Sequence, residues 1–388
     1  MSTLKLSLSI PYKQRLDNIA IVFEALSNQT MNKSEFEVIV GAMEYSEDYV
    51  SLCKKYVDRI QIKSVLSAED FSIPRARNLA MNQAVGQIIV QMDADTLLPT
   101  NALQNLYDSH FAFNQNICVV GQVVGYGNNN DGDITTVESQ PYAKYRDALV
   151  ELGNTKGNPR DPRFQVEHII PWAFGWTGLI ALPLKTVKEY ELFFDENFHG
   201  WGVDDLEWSF RICKSETPIV LCEDVYAIHL PHTRNQAANQ KTEKKNYQRF
   251  LQKWPRLDVE LACTFGDVKA NALYINFTNE LKKVTCNEEN KFGMIRGSIK
   301  GNDVLLIGVE LDKNNRFVDK SITDLFDNSH LLEMSYLLGM ATPYNDKSIY
   351  QCKILPSVSK LPPLFWNAIL SEAKRLSDNV ILPTEMAP

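Results

Sequence analysis

Three clusters of side chains have the types and spacing to do chemistry. Asp93-Ala94-Asp95 sets two carboxylates one residue apart, an arrangement that holds a hard divalent cation when phosphate oxygens complete its shell. Taken alone, such a triplet is equally a pair of solvated or helix-capping acids. The second cluster is His199-Gly200-Trp201-Gly202-Val203-Asp204-Asp205-Leu206-Glu207. Glycines on both sides of a tryptophan imply tight backbone beside a large flat side chain, whose apolar face suits the C–H groups of a sugar ring. The acids behind it lead a helix with Leu206, Phe210 and Cys213 on one face. Asp204 as N-cap with Glu207 at N3 makes a D-x-x-E variant of the capping box, and Asp205 falls in the first turn, where the dipole favours an ionised carboxylate. A general base must be both deprotonated and aimed, so the capping and catalytic readings are compatible. Third, His229 and His232, two of six histidines, lie three residues apart. Each alone is an ordinary structural histidine, but either can give a nitrogen ligand to a metal held by Asp95.

The elements that must position these residues follow from periodicity. Leu4 to Ile10 alternates apolar with polar residues as a strand does, and Pro11 ends it. Ile19, Val22, Phe23 and Leu26 form a helical stripe. Residues 36–40 read as a strand, 47–57 as a helix and 60–65 as a strand. Pro74 opens a helix expected to run through Val85 with Gly86 at C′, and 88–92 is a short apolar strand. This alternation predicts an α/β fold with a mostly parallel sheet flanked by helices. Ligands in such sheets bind beyond the carboxyl ends of the strands, where Asp93 and Asp95 fall.

Farther on, Gly125–Asp133 and Gly153–Arg163 read as loops by composition. A strand ends at Ile228, and Tyr247, Phe250, Leu251 and Trp254 restore helical spacing. Residues 303–310 read as a buried strand and 364–376 as a helix, but no motif appears there. The expected division is a catalytic domain over 1–265 and a smaller appended α/β region over 266–388.

The 388 residues carry 40 Lys+Arg against 48 Asp+Glu, a net charge of −8, so no global basic field invites nucleic acid. The seven cysteines include no C-x-x-C pair, which argues against a disulfide framework or zinc knuckle. The first residues are too polar for a secretory signal, and no run of about 18 apolar residues exists to span a membrane. A cytoplasmic location is the expectation.

On these residues the chain resembles the family 2 glycosyltransferases of the GT-A fold. The likeness rests on Leu8-Ser9-Ile10-Pro11-Tyr12, on SIPRARN (Ser72–Asn78) and on QMDADT (Gln91–Thr96). Trp172–Arg234 is similar to the C-terminal part of galactosyltransferases, polypeptide N-acetylgalactosaminyltransferases and chondroitin-type polymerases, through W-x-x-G-x-T-G-L-I-A-L, FDENFHGWGVDDLEWSFRI and IHLPHTRN. The likeness covers roughly residues 4–255. It implies an inverting, metal-dependent transfer of a sugar from a nucleotide diphosphosugar to an acceptor hydroxyl. UDP-Gal, UDP-GalNAc and UDP-GlcNAc are the implied donors, and Mn²⁺, with Mg²⁺ second, is the implied cofactor.

By the same resemblance, Asp205 is the general base and Asp204 binds sugar or acceptor hydroxyls. Pro11, Glu44, Arg77, Asp93, Asp95, Trp201 and Gly202 contact the donor, and Asp95, His232 and His229 hold the metal. The sequence departs from the family in two places. Val40–Ser46 replaces an Asp-Asp-Gly-Ser segment, leaving Glu44 as the substitute acid, and Asp204 stands where many relatives have Glu. The acceptor is a glycan, a peptide, a lipid-linked glycan or a small molecule. A catalytically inactive nucleotide-sugar- or carbohydrate-binding module of the same fold is the alternative; loss of the acids would favour it, and all are present.

Overall fold

A computed structural model describes residues 4–125, 140–155, 162–232 and 236–383. Most of the Gly/Asn-rich loop after Gly125, residues 156–161 of the second loop, and Thr233 to Asn235 of IHLPHTRN lie outside the described residues. The chain divides into two units: residues up to 167 with 171–246, and 168–170 with those from 247 on.

The first unit contains, in chain order, β1 (Leu6–Tyr12), α1 (Leu16–Ser27), β2 (Phe36–Ala42), α2 (Glu47–Tyr56), β3 (Ile62–Leu66), α3 (Ile73–Met81), β4 (Ile88–Met92), β5 (Thr96–Leu97), α4 (Ala102–His110), β6 (Cys118–Val124), α5 (Tyr142–Asn154), β7 (Leu179–Pro183), α6 (Leu184–Glu189), α7 (Asp204–Lys214) and β8 (Ile219–His229). The unit boundary falls within α8 (Gln236–Lys253). The strands form one sheet in the order β3-β2-β1-β4-β7-β6-β8-β5. Its first four strands are parallel, as the alternating pattern predicted, while β7 runs antiparallel to both β4 and β6, and β5 antiparallel to β8. The sheet is therefore mixed. The parallel half puts the carboxyl ends of β1, β2 and β4 on one edge, and Asp93 follows β4 directly.

Leu6, Leu8 and Ile10 of β1 are buried with Val38 and Val40 of β2, Val90 of β4, and the Ile19/Phe23/Leu26 stripe of α1. The serines alternating with them are buried too, because their hydroxyls are satisfied. Ser7 Oγ donates to Glu37 Oε1 (2.6 Å) and accepts from the Gly86 N–H (2.8 Å).

Three local expectations need correction. Strand β1 does not stop at Pro11 but runs through it to Tyr12, with Pro11 paired to Gly41 of β2. Helix α3 ends at Met81 rather than Val85, and Gly86 is not in the left-handed region that a C′ glycine adopts. What requires glycine there is space, since a Cβ would stand 2.8 Å from Leu6 C and Ser7 N of β1. The N-cap of α7 is Val203, not Asp204.

The second unit contains α9 (Leu257–Phe265), α10 (Asp267–Val284), β9 (Lys291–Ile299), β10 (Asn302–Leu311), β11 (Glu333–Ser335), β12 (Gln351–Ile354), α11 (Pro363–Leu376) and β13 (Val380–Ile381). Its sheet has the order β11-β9-β10-β12-β13 over a core that includes Ile295, Val304, Leu306 and Phe326. The strand and helix expected around 303–310 and 364–376 are β10 and α11. The buried Glu260 carboxylate accepts the N–H groups of Leu338, Gly339 and Met340 at 2.7–2.8 Å, clamping that loop. The seven cysteines form no disulfide. Among the described residues no helix is long and apolar enough to cross a membrane.

Candidate active site

The first acid cluster is built by strand register. The two residues of β5 pair antiparallel with the end of β8, Thr96 opposite His229 and Leu97 opposite Ile228. The pairing continues as the Leu230 N–H donates to the Asp95 carbonyl (2.8 Å). Asp95, fully buried, thus meets both histidines: His229 Nε2 is 3.5 Å from its Oδ1 and His232 Nε2 is 3.4 Å from its Oδ2. One carboxylate and two imidazoles offer ligand atoms that all lie within 4.8 Å of one another. Arg15, which no sequence motif singles out, pairs its guanidinium with Asp95 Oδ2. A buried carboxylate needs a counter-cation, and Arg15 supplies one from the segment between β1 and α1. The only signal available was a basic residue just past the end of a strand.

The second acid cluster sits at the start of α7. Gly200 (φ +75°), Gly202 (φ +94°) and Val203 (φ +74°) place three of four consecutive residues in the left-handed region. For β-branched Val203 this is a strained conformation of the kind that collects at functional sites. The turn starts the helix one residue earlier than the capping-box pattern implied, so Asp204 is at N1 and its carboxylate is taken by Arg77. The body of α7 is anchored firmly: Trp208 Nε1 donates to the Leu192 carbonyl (2.7 Å), and Ser209 Oγ to that of Gly175 (2.9 Å). Buried Glu207 pairs with Arg211 one turn on (3.0 Å). Asp205 Oδ1 accepts from the Leu206 N–H (2.9 Å), and its Oδ2 lies 3.5 Å from the Thr177 N–H. Burial, then the neighbouring Asp204 carboxylate, pushes the Asp205 carboxyl up to about 7, against the pull of Arg77. Trp201 stands 45% exposed on the loop before these acids.

Arg77 joins the two clusters. Its Nη1 donates to Asp204 Oδ2 (2.6 Å) and its Nη2 to Asp93 Oδ1 (3.1 Å), while the residue is buried and its guanidinium lies over the Phe194 ring. The placement of α3 makes this possible. A Cβ on Gly41 of β2 would come within 1.8 Å of the Ala76 carbonyl oxygen, so glycine alone lets α3 lie this close to the sheet. Asn78 and Arg75 of the same helix hold Glu196 (3.0 and 2.9 Å), and Asn78 also bonds both backbone groups of Phe194. Asp204 is raised by burial and lowered by Arg77, with burial the stronger. Arg77 itself is held charged despite its burial by Asp204 and Asp93.

Pro11 and Glu44 lie at the carboxyl ends of β1 and β2. Glu44 Oε1 accepts the Gln14 N–H (2.7 Å), which ties the two loops together, and Tyr12 stacks on Tyr49 with ring centroids 4.4 Å apart. A separate grouping, His110 with Cys222 and Asp224, also brings metal-ligand atoms together. There the histidine turns opposite ring nitrogens to its partners, Nε2 to Asp224 (3.0 Å) and Nδ1 to Cys222 Sγ (3.8 Å).

Residues 7–164 match the family described as Glycosyl transferase family 2. Validoxylamine A glucosyltransferase of Streptomyces hygroscopicus subsp. jinggangensis is 27% identical over 288 residues, which take in 69% of this chain and 67% of that one. Chondroitin synthase of Pasteurella multocida is 23% identical over 221 residues, 53% of this chain and 23% of that one. The chain thus spans about two thirds or less of these relatives. Among solved structures, S. aureus TarS 1-349 in complex with UDP-GlcNAc aligns with a TM-score of 0.48 at 13% identity, over 72% of this chain and 78% of that one.

Proposed function

We propose that this chain, a glycosyltransferase with a family 2 domain at residues 7–164, moves a hexose from a nucleotide diphosphosugar to an acceptor hydroxyl with metal assistance and inversion. The observation that carries the reading is the pairing of Arg77 with Asp93 and Asp204, which joins a metal-type acid cluster to a base-type one. A binding module would need neither the convergence nor a carboxyl tuned to about 7.

The residues fit a divalent ion. Asp95, His229 and His232 mix one oxygen with two nitrogen donors, a set suited to Mn²⁺ and tolerable to Mg²⁺. Such an ion, when bound, neutralises the charge that grows on the leaving diphosphate. Arg15, which pairs with Asp95, would be positioned to meet the diphosphate if that carboxylate turned to the ion. Asp205 takes the proton of the acceptor hydroxyl as its oxygen attacks the anomeric carbon. That C–O bond forms while the bond to the diphosphate breaks on the opposite face, which inverts the configuration. A carboxyl near 7 is matched to this task, since it is largely ionised above that pH yet basic enough to accept the proton. Asp204, held by Arg77, binds sugar hydroxyls. Pro11, Glu44 and Asp93 face the nucleotide, and Trp201 with Gly202 lines the sugar.

UDP-Gal, UDP-GalNAc and UDP-GlcNAc are the proposed donors, and the Streptomyces relative's name adds a glucosyl donor to be tried. The test is a panel of these sugars with Mn²⁺ or Mg²⁺, read as thermal stabilisation and as nucleotide release. One sugar should stabilise the protein and be turned over only with metal, and Asp205→Asn should keep the stabilisation while losing turnover. Turnover unaffected in Asp205→Asn would overturn the assigned base.

A further inference from the structure

The loop that carries Trp201 is held almost wholly by one face of α8. Thr242 and Asn246 lie four residues apart, hence on one side of the helix. The Trp201 N–H donates to Thr242 Oγ1 (3.1 Å), and the same hydroxyl lies 3.1 Å from the Trp201 carbonyl and 2.9 Å from that of Asn239. Buried Asn246 spreads its amide over the rest of the loop. Its Nδ2 donates to the carbonyls of His199 (3.1 Å) and Gly202 (2.9 Å), with Trp201's at 3.5 Å, while its Oδ1 accepts the His199 N–H (3.4 Å). The fit is close, since a Cβ on Gly200 would come within 2.5 Å of Thr242 Cγ2. The left-handed backbone at Gly200 and Gly202 cannot form strand or helix hydrogen bonds, so these two side chains stand in for them. The Trp201 indole, meanwhile, remains 45% exposed. The side chains of Thr242 and Asn246 thus hold the backbone beneath an exposed ring.

We infer that Thr242 and Asn246 are positioning residues that fix the Trp201 ring as a stacking surface for the pyranose ring of the donor. The inference rests on the glycosyltransferase reading for its substrate, but not for its geometry. Ring orientation matters because stacking needs the indole face parallel to the C–H face of the sugar, and a loop free to rotate loses that alignment without losing the tryptophan. The effect therefore falls on substrate binding rather than on the proton transfer at Asp205.

The experiment uses the full chain with Mn²⁺ and the UDP-sugar it turns over. Thr242→Val keeps the shape and removes the hydroxyl, Thr242→Ser keeps the hydroxyl, and Asn246→Asp keeps the shape but cannot donate. Two readouts are taken: KM against kcat for the donor, and acrylamide quenching of the Trp201 fluorescence, isolated by difference from Trp201→Phe. Thr242→Val and Asn246→Asp should raise the donor KM about tenfold with kcat within about threefold of the parent, and should raise quenching of Trp201; Thr242→Ser should restore both. Parent-like KM and quenching in Thr242→Val would overturn the inference, as would a fall in kcat at unchanged KM. Should no UDP-sugar be turned over, the enzymatic reading fails separately. The quenching comparison still decides whether the clamp sets the ring.

Discussion

Replacing Arg77 by Met tests how the two acid clusters are held together. The Arg77 side chain is 6% exposed and pairs with Asp204, equally buried, at 2.6 Å and with Asp93 at 3.1 Å. Methionine fills similar volume but leaves Asp204 as a buried charge without its cation. Breaking a buried pair from one side costs about 3–5 kcal/mol. The cost also depends on pH with a definite sign. Asp204 already has its carboxyl raised above 3.8 by burial, with Arg77 pulling it down. Without Arg77 it rises further, so the folded state binds a proton that the unfolded chain releases above about 4. The loss is therefore smallest near pH 4 and grows as pH rises. Urea unfolding of the parent and of Arg77→Met at pH 4 and pH 8, with Asp204→Asn and Arg77→Met/Asp204→Asn completing a double-mutant cycle, measures this. The double variant should recover at least about 1 kcal/mol at pH 8, because it removes the stranded charge. A loss below about 1 kcal/mol, or one equal at the two pH values, would refute the claim that Arg77 serves as the shared counter-ion.

Other outcomes follow from the same geometry. Asp205, with its carboxyl near 7, should give a kcat/KM that rises with pH to a plateau above about 7, and Asp205→Asn should lose about 10²–10⁴-fold, checked by pH–rate profiles. Ionising that carboxyl also costs stability between its ordinary 3.8 and about 7, so Asp205→Asn should be more stable than the parent at pH 8, by melting temperature. Asp95→Ala should abolish calorimetric Mn²⁺ binding and His232→Ala should weaken it at least about tenfold; unchanged titrations would remove these residues as ligands. Arg15→Ala should tighten Mn²⁺ binding, because the guanidinium competes for the same carboxylate.

Local patterns carried much of the fold. The α1 stripe and the apolar run of β4 each reflect an environment set within a few residues, and both form where periodicity placed them; the alternation in β1 also marks a strand, but that strand runs on through Pro11 to Tyr12 instead of stopping there. The reversal at β7 has no such signal. Leu179–Pro183 reads as a strand, but its direction is decided by pairing with β4, nearly a hundred residues earlier. The meeting of Asp95 with His229 is of the same kind, since it depends on a two-residue strand pairing across the chain. The residue types suggested that meeting through a shared metal, but no local pattern could show the pairing that makes it. Capping at α7 shows a pattern read correctly but outcompeted. Asp204 has the right type and spacing for an N-cap, yet the left-handed turn at Gly202 and Val203 moves the helix start, and Arg77 claims the carboxylate. Arg15 and the Thr242/Asn246 pair were invisible because their partners are fixed by tertiary placement, not by spacing.

The central claim, metal-assisted transfer with inversion, is tested most directly by the configuration of the sugar released from a UDP-α-sugar. Proton NMR in the first minutes of turnover with Mn²⁺, water serving as acceptor, reads the anomeric signal before mutarotation. The account predicts the β-anomer as the first product, absent with chelator and absent in Asp205→Asn. An α-anomer formed first, or a β-anomer formed equally well without metal, would contradict it.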